Sequence, residues 1–197
     1  MSSNRDSILE KIRANKPQRG DKPLPDYIHF DSIFDDATAK FTKILRDIGG
    51  EVVAVENLEL LKKDYKKRFQ QYKNVVCRVE NLELGVAEIG SVNDGHDFAD
   101  VEVAILRGQF GVAENGSIWV TDAEIGQHRV LPFITQHLVL VLDKNNIFKN
   151  LHEAYKTLIV NQEGFGVFIA GPSKTADIEQ SLVIGAHGAR SLVVYLV

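Results

Sequence analysis

The chain has 197 residues, of which 44% are hydrophobic, and it carries a net charge of -4. This length suffices to bury one α/β core. The weakly acidic net charge argues against nucleic-acid binding, and the sequence contains no run of about 18 apolar residues, the length needed to span a bilayer. The single cysteine, Cys77, excludes an internal disulfide and a four-cysteine metal cluster, which favours a reducing compartment, the cytoplasm.

The N-terminal segment predicts a short helix and a linker. A helix over residues 4–14 would place three apolar side chains on one face, those of Ile8, Leu9 and Ile12. Residues 16–25 are rich in proline and polar residues, which break regular structure. We therefore expect residues 1–29 to form a helix and linker and residues 30–197 to form the main domain. The apolar stripe suits docking either on that domain or on a partner.

The first part of the main domain alternates helices with strands. Apolar residues with a period near 3.6 predict helices over residues 33–48 and 58–69. Short apolar runs predict strands over residues 51–55 and 74–79.

The middle of the domain changes to consecutive short apolar runs separated by glycine and polar clusters. These runs predict strands over residues 101–106, 111–113, 117–120 and 137–142.

The C-terminal part returns to alternation. It predicts a helix over 146–160, a strand over 165–170, a helix over 175–184 and a strand over 191–197. The whole pattern indicates an α/β fold: an open, mostly parallel sheet with helices on both faces and a small β-rich insertion.

Glu114 follows one of the middle strands and is a candidate catalytic residue. A carboxylate at a strand end can act as a nucleophile, a general base or an acceptor for a ligand hydroxyl. The next residues, Asn115, Gly116 and Ser117, begin with a strong turn dipeptide. The alternative is a β-hairpin with Asn115 and Gly116 in its turn and Glu114 facing water, which this short pattern alone favours.

A second candidate is the polar turn after the predicted strand 165–170. It contains Gly171, Pro172, Ser173 and Lys174. A strand–turn–helix unit would place this turn at the carboxyl end of a sheet strand, where ligands of α/β folds tend to bind. Free backbone N–H groups and the lysine would suit an anion.

Two carboxylates argue against a bare phosphate at this turn. In the predicted helix 175–184, Asp177 and Glu179 occupy the first turn and would repel a second anion. A ligand that offers hydroxyls or amides to Asp177 is then favoured. The alternative, compatible with ligand binding, is that Ser173 or Thr175 caps the helix.

His187 lies between two glycines where the chain leaves that predicted helix. Its small neighbours allow a ligand to approach, although a histidine there is more often a partner of the helix C-terminus. The six histidines show no metal-ligand spacing, so we expect no metal site. No serine-hydrolase elbow is present either.

Several of these motifs, taken in order, resemble the LUD domain of the lactate-utilisation protein C (LutC) family. The resemblance rests on Ala113-Glu114-Asn115-Gly116-Ser117, Leu131-Pro132, His137, the block Gly171-Pro172-Ser173-Lys174-Thr175-Ala176-Asp177-Ile178-Glu179, and Gly185-Ala186-His187-Gly188. It covers the chain from about residue 30 to the end, and the block that begins at Gly171 is its most specific part. The resemblance implies a fold like that of ribose-5-phosphate isomerase, glucosamine-6-phosphate deaminase and the CoA transferases.

The resemblance also implies a role in the bacterial oxidation of L-lactate to pyruvate. The chain would be a cluster-free accessory subunit beside LutA-like and LutB-like proteins that carry iron–sulfur clusters, and would itself hold no cofactor. We expect Glu114, the loop 171–177 and His187 to line one pocket for a small metabolite or cofactor fragment.

A different class of function remains open. Residues 113–116 also look like the Glu-Asn-Gly signature of class I CoA transferases, whose glutamate attacks an acyl-CoA. On that alternative, the chain is a transferase or ligase with Glu114 as its nucleophile.

Overall fold

The computed structural model describes residues 4–16, 34–85, 94–126, 128–158, 164–176 and 182–197. The chain divides into two compact units, Met1–Asp31 and Ser32–Val197. In the first unit, the predicted helix is present as α1 (Asn4–Ala14), and none of its residues is buried. None of the helices formed by the described residues has both the length and the apolar character needed to cross a bilayer.

The second unit contains helices and strands in alternation, with the β-rich middle that the sequence predicts. In chain order they are α2 (Ala37–Asp47), β1 (Glu51–Ala54), α3 (Leu58–Phe69), β2 (Val75–Cys77), a 3₁₀ turn (Gly95–Phe98), β3 (Val103–Arg107), β4 (Phe110–Val112), β5 (Ser117–Thr121), α4 (Asp122–Ile125), α5 (Leu131–Ile134), β6 (His137–Leu142), β7 (Ile147–Phe148), α6 (Leu151–Tyr155), β8 (Gly166–Ile169), β9 (Lys174–Ala176), β10 (Leu182–Ile184) and β11 (Ser191–Leu196).

A five-stranded parallel sheet forms the centre, in the order β1-β11-β6-β3-β2. Because successive side chains of a strand point to opposite faces, its apolar runs supply two cores. Along β6, Leu138 and Leu140 belong to the core that includes Phe41 of α2, whereas Val139 belongs to the core that includes Leu61 of α3. Helices therefore cover both faces, which confirms the predicted fold class.

A second sheet of four strands lies in the order β7-β4-β5-β8. Strands β4, β5 and β8 are antiparallel neighbours, and β7 is parallel to β4. Ile118 and Val120 of β5 share a core with α2 and one face of the parallel sheet. This sheet is the predicted β-rich elaboration, and it includes β8 near the C-terminus.

The predicted helix over 146–160 is wrong for most of its length. Residues 147–148 form β7, which pairs with β4, and the helix that follows spans only Leu151–Tyr155. The side chain of Asn150 accepts a hydrogen bond from the N–H of Glu153 and starts the helix there. Asparagine favours such a cap over a helix interior because its side chain competes for backbone N–H groups.

The predicted helix over 175–184 is also wrong. Residues on both sides of its centre form an antiparallel pair, β9 with β10, and residues 177–181 lie outside the described part of the chain. The Thr175 hydroxyl donates a hydrogen bond to the carbonyl of Val183 across this pair. The β-branched residues Thr175, Val183 and Ile184 fit an extended strand better than a helix.

Candidate ligand-binding site

A cavity of about 320 Å³ lies beside the loop that the sequence singles out. Its walls come from residues 168–174, residues 187–189, Pro132 and Phe133 at α5, and Leu138 at the start of β6. The structure therefore brings Gly171, Pro172, Ser173, Lys174 and His187 to one cavity.

Backbone hydrogen bonds hold the two loops of this cavity together. The Ser173 N–H donates to the carbonyl of Ala189 at 2.8 Å, and the Gly185 N–H donates to the carbonyl of Ser173 at 3.0 Å. A Cβ atom on Gly188 would lie 3.0 Å from Ser173 Cβ and 3.3 Å from its hydroxyl oxygen. Glycine at position 188 thus permits the close approach of the two loops.

The first loop also packs on the C-terminal end of α2. Gly171 has a φ of 72°, and a Cβ there would lie 3.0 Å from the carbonyl oxygen of Ile48. A Cβ on Gly49 would lie 3.5 Å from Lys174 Nζ. Both the positive φ and the close contact with Ile48 therefore favour glycine at position 171. The Lys174 ammonium lies close to the C-terminal end of α2.

The cavity combines an ammonium and an imidazole with aromatic side chains. Lys174 and His187 are exposed side chains at its polar part, and Ser173 is half-buried. Phe133, which is 42% exposed, and the half-buried Phe168 supply accessible apolar surface, whereas Pro132 and Leu138 are buried behind it. Among the described residues that line the cavity, none is an aspartate or a glutamate.

The cavity lies at the opposite edge of the parallel sheet from the one predicted. Leu138 is the second residue of β6, and Ala189 precedes β11 by two residues, so the cavity adjoins the amino ends of these strands. The expectation of a carboxyl-end site depended on residues 165–170 belonging to that sheet. Instead β8 pairs antiparallel with β5 in the smaller sheet, and that expectation is wrong.

The proposed helix-terminus features at this loop are absent from the described residues. Lys174 and Thr175 lie on β9, so Thr175 caps no helix there, and the Ser173 N–H is already bonded to Ala189. His187 follows the strand β10, which lies where the sequence predicts the end of a helix, so it is not the partner of a helix C-terminus there. Asp177 and Glu179 lie outside the described residues.

The Glu114 segment forms a hairpin turn between β4 and β5. The Gly116 N–H donates to the carbonyl of Val112 at 2.9 Å, and Gly116 has a φ of 68°. The Glu114 side chain is exposed, and its Oε1 accepts a hydrogen bond of 2.7 Å from the N–H of Leu151. Glu114 is not among the described residues that line the cavity.

The three residues after Glu114 serve the same turn. Asn115 Oδ1 accepts hydrogen bonds from the N–H and the hydroxyl of Ser117, at 3.0 and 2.7 Å. Ser117 is 2% exposed, and a Cβ on Gly116 would lie 3.1 Å from the backbone nitrogen of Leu45 in α2. These contacts place Asn115, Gly116 and Ser117 against the protein, and the cavity wall does not include them.

The sequence did not single out the apolar wall as part of a site. Phe133, Leu138, Phe168 and Ala189 line the cavity, yet each lies in an ordinary apolar or small-residue context. The Leu131-Pro132 pair is the available signal, because Pro132 lies in the first turn of α5 and lines the cavity.

One titratable group lies next to the cavity without lining it. His137 Nδ1 is 2.8 Å from Ser191 Oγ, across the neighbouring strands β6 and β11. Burial lowers the pKa of His137, the positive charge of Arg190 lowers it further, and Glu102 opposes both. Elsewhere, no group of three potential metal-binding side chains occurs within the described residues.

Comparison with known proteins identifies a family and several relatives that this chain resembles. Residues 78–197 match the family described as LUD domain. A lactate utilization protein C from Bacillus pumilus (strain SAFR-032) is 32% identical over 100 residues, which cover 48% of this chain and 41% of that protein. Lactate utilization protein C 1 from Bacillus mycoides (strain KBAB4) is 26% identical over 212 aligned positions, which cover 92% of this chain and 89% of that protein.

A solved structure supports the fold. The crystal structure of a DUF162 family protein from Deinococcus radiodurans aligns with a TM-score of 0.59 at 14% identity, covering 81% of this chain and 95% of that chain. The sequence alignment with the Bacillus pumilus protein, by contrast, spans less than half of that protein's length.

Proposed function

Because the chain belongs to the LUD domain family, through a match over residues 78–197, we propose that it acts in lactate utilisation. In this proposal it is a cluster-free accessory subunit of a cytoplasmic iron–sulfur complex that oxidises L-lactate to pyruvate. Its own task is to bind a small metabolite or cofactor fragment.

The cavity beside Gly171 carries this proposal. Residues 171–174 and His187 are separated in sequence, yet both line one cavity. Concave sites with a few convergent polar groups on an apolar wall are the usual form of small-molecule sites. The names of the relatives, lactate utilization protein C, supply the metabolic setting.

The clusters are assigned to partner proteins. A four-cysteine cluster needs more thiolates than the one cysteine of this chain provides. LutA-like and LutB-like iron–sulfur proteins would therefore carry the electrons, and this chain would complete the assembly.

Transferase chemistry at Glu114 has no supporting observation. The carboxylate is bonded to the backbone of Leu151, and the cavity is lined by other residues. Glu114 as a nucleophile stays a prediction that acyl-CoA trapping can test.

A deletion and complementation experiment tests the proposed function. In a host with the iron–sulfur partners, deletion of this chain should abolish lactate-dependent dye reduction, and the wild-type gene should restore it. Unchanged dye reduction in the deletion strain would contradict the proposal.

Matched variants test whether the cavity is involved. Ala170→Phe should obstruct the cavity and fail to restore dye reduction, because Ala170 lines it and is exposed. Ala123→Phe, at an exposed position in α4, should complement fully. Thermal unfolding of both purified variants separates obstruction from misfolding. Equal complementation by two folded variants would remove the cavity from the function.

A further inference from the structure

We infer that the cavity binds an organic anion larger than L-lactate, with its charged group at Lys174 and His187 and its apolar body against Phe133 and Phe168. This inference rests on the proposed function, since it specifies the ligand class of the same cavity.

The charge of the cavity wall supports an anionic group. Lys174 and His187 both line the cavity, and neither has an ion-pair partner among the described residues. No described lining residue carries a carboxylate. An ammonium and an imidazole on one wall therefore face no described counter-charge, which an anionic ligand would supply.

The predicted repulsion of an anion by Asp177 and Glu179 depends on a helix over 175–184. The first turn of that helix would hold both carboxylates beside the loop. The described residues on both sides of them belong to the strands β9 and β10. Repulsion from the first turn of a helix over 175–184 therefore does not oppose an anion in this cavity.

Ser173 adds a hydrogen-bond donor beside Lys174 and His187. Its side chain is half-buried in the cavity wall, and Gly188 lies against it. A side chain at position 188 would crowd the hydroxyl, because a Cβ would lie 3.3 Å from Ser173 Oγ. Glycine there leaves the hydroxyl free to donate to a carboxylate or phosphate oxygen.

The volume and the apolar wall indicate a ligand with an apolar body. A cavity of about 320 Å³ corresponds to roughly ten water molecules at ~30 Å³ each. L-lactate, with six non-hydrogen atoms, would leave much of this space and the accessible surfaces of Phe133 and Phe168 uncovered. A larger organic acid would bury those surfaces and gain hydrophobic stabilisation.

Matched acid and amide probes test this inference on the full chain. Backbone chemical shifts are followed during titration with benzoate and benzamide, which have the same shape and differ in charge, and with L-lactate and lactamide. We expect benzoate to shift the signals of residues 171–174 and 187–189 and to bind at least about threefold more tightly than benzamide, as for one exposed ion pair. We also expect benzoate to bind more tightly than L-lactate.

Three variants identify the groups responsible. Lys174→Met and His187→Gln should each reduce the preference for benzoate over benzamide. Lys63→Met, at an exposed position in α3, should leave it unchanged. If Lys174 served only the C-terminal end of α2, its substitution would lower the melting temperature and leave the acid-to-amide ratio intact.

Several results would overturn the inference. They are equal binding of benzoate and benzamide, tighter binding of L-lactate than benzoate, no shifts at the cavity with either acid, or an equal loss of preference in Lys63→Met. The proposed function fails separately: selective acid binding with unchanged dye reduction in the deletion strain would refute only the lactate role. Loss of dye reduction without acid selectivity would refute only the ligand class.

Discussion

Glu114 Oε1 accepts a hydrogen bond of 2.7 Å from the backbone N–H of Leu151. The bond joins the β4–β5 turn to the first residue of α6, across 37 positions of sequence. The bond satisfies the N–H of Leu151, which has no acceptor within α6, because the first N–H groups of a helix have no carbonyl partner in that helix. The carboxylate that looks catalytic in the sequence thus has a structural role in the fold.

We expect Glu114→Ala to lower the free energy of unfolding by about 1 kcal/mol, the usual value for one hydrogen bond. Glu114→Gln keeps an acceptor oxygen and should cost less than the alanine variant. Urea unfolding, followed by the fluorescence of the single tryptophan, measures both. A glutamine variant as unstable as the alanine variant would show that the charge, and not the acceptor, stabilises this contact.

The sequence predicts elements well where the pattern is local. Leu61, Tyr65 and Phe69 recur every four residues and are buried in α3, which has the predicted bounds Leu58–Phe69. The continuous apolar run His137–Leu142 likewise forms β6 with its predicted bounds. The spacing in α3 selects the helical period, whereas the run at β6 is identified as a strand by its short length and its valines.

Prediction fails where a distant contact decides the structure. The hairpin of β9 and β10 is closed at its base by Gly185 and Ser173, and Ser173 is held by Ala189. These bonds have no local signature in the sequence, whereas the spacing of Ile178, Leu182 and Val183 predicts a helix. The cavity could not be predicted for the same reason, since Leu138 and the loop at Gly171 meet only in the folded chain.

Gly171→Ala should destabilise the protein by about 2 kcal/mol. The φ of 72° is unfavourable for alanine, and its Cβ would lie 3.0 Å from the carbonyl oxygen of Ile48, which belongs to the backbone and cannot rotate away. Thermal unfolding by circular dichroism measures the loss.

The control for this substitution is Gly95→Ala. Gly95 does not have a positive φ, and a Cβ there would lie 3.5 Å from Val130 Cγ1, an ordinary contact. It should unfold at nearly the wild-type temperature. An equal loss at both positions would mean that the loop conformation at Gly171 is not the cause.

Tyr195→Phe should lower the free energy of unfolding by about 1 kcal/mol. Tyr195 is fully buried, and its hydroxyl donates to Asp64 Oδ2 at 2.8 Å. Arg68 Nε donates to the same oxygen at 2.6 Å, so Asp64 keeps a partner when the hydroxyl is removed.

Two further substitutions sharpen this result. Asp64→Ala should cost more than Tyr195→Phe, about 2 kcal/mol, because it leaves the buried Tyr195 hydroxyl without its acceptor. Tyr155→Phe is the control, since Tyr155 is 55% exposed, and it should unfold like the wild type. Similar losses at both tyrosines would argue against the hydrogen bond as the source of the effect.

Protonation of His137 should destabilise the protein as the pH falls. Burial and then Arg190 lower the pKa of His137 in the folded chain, while the unfolded chain keeps the ordinary value of 6.5. Below that value, the unfolded state binds the proton more readily, so the stability that neutral His137 contributes is present above pH 6.5 and is lost as the pH falls through the folded pKa. Urea unfolding between about pH 7 and about pH 5 isolates this group from the carboxylates, whose usual pKa values lie lower.

His137→Gln should flatten the decline of stability over this range, because glutamine can still reach the Ser191 hydroxyl and does not titrate. His96→Gln is the matched control: the side chain of His96 is 95% exposed, and its substitution should leave the decline unchanged. A decline that survives in His137→Gln would assign it to another group. A decline lost only in His96→Gln would contradict the assignment outright, because the loss would then belong to an exposed imidazole and not to His137.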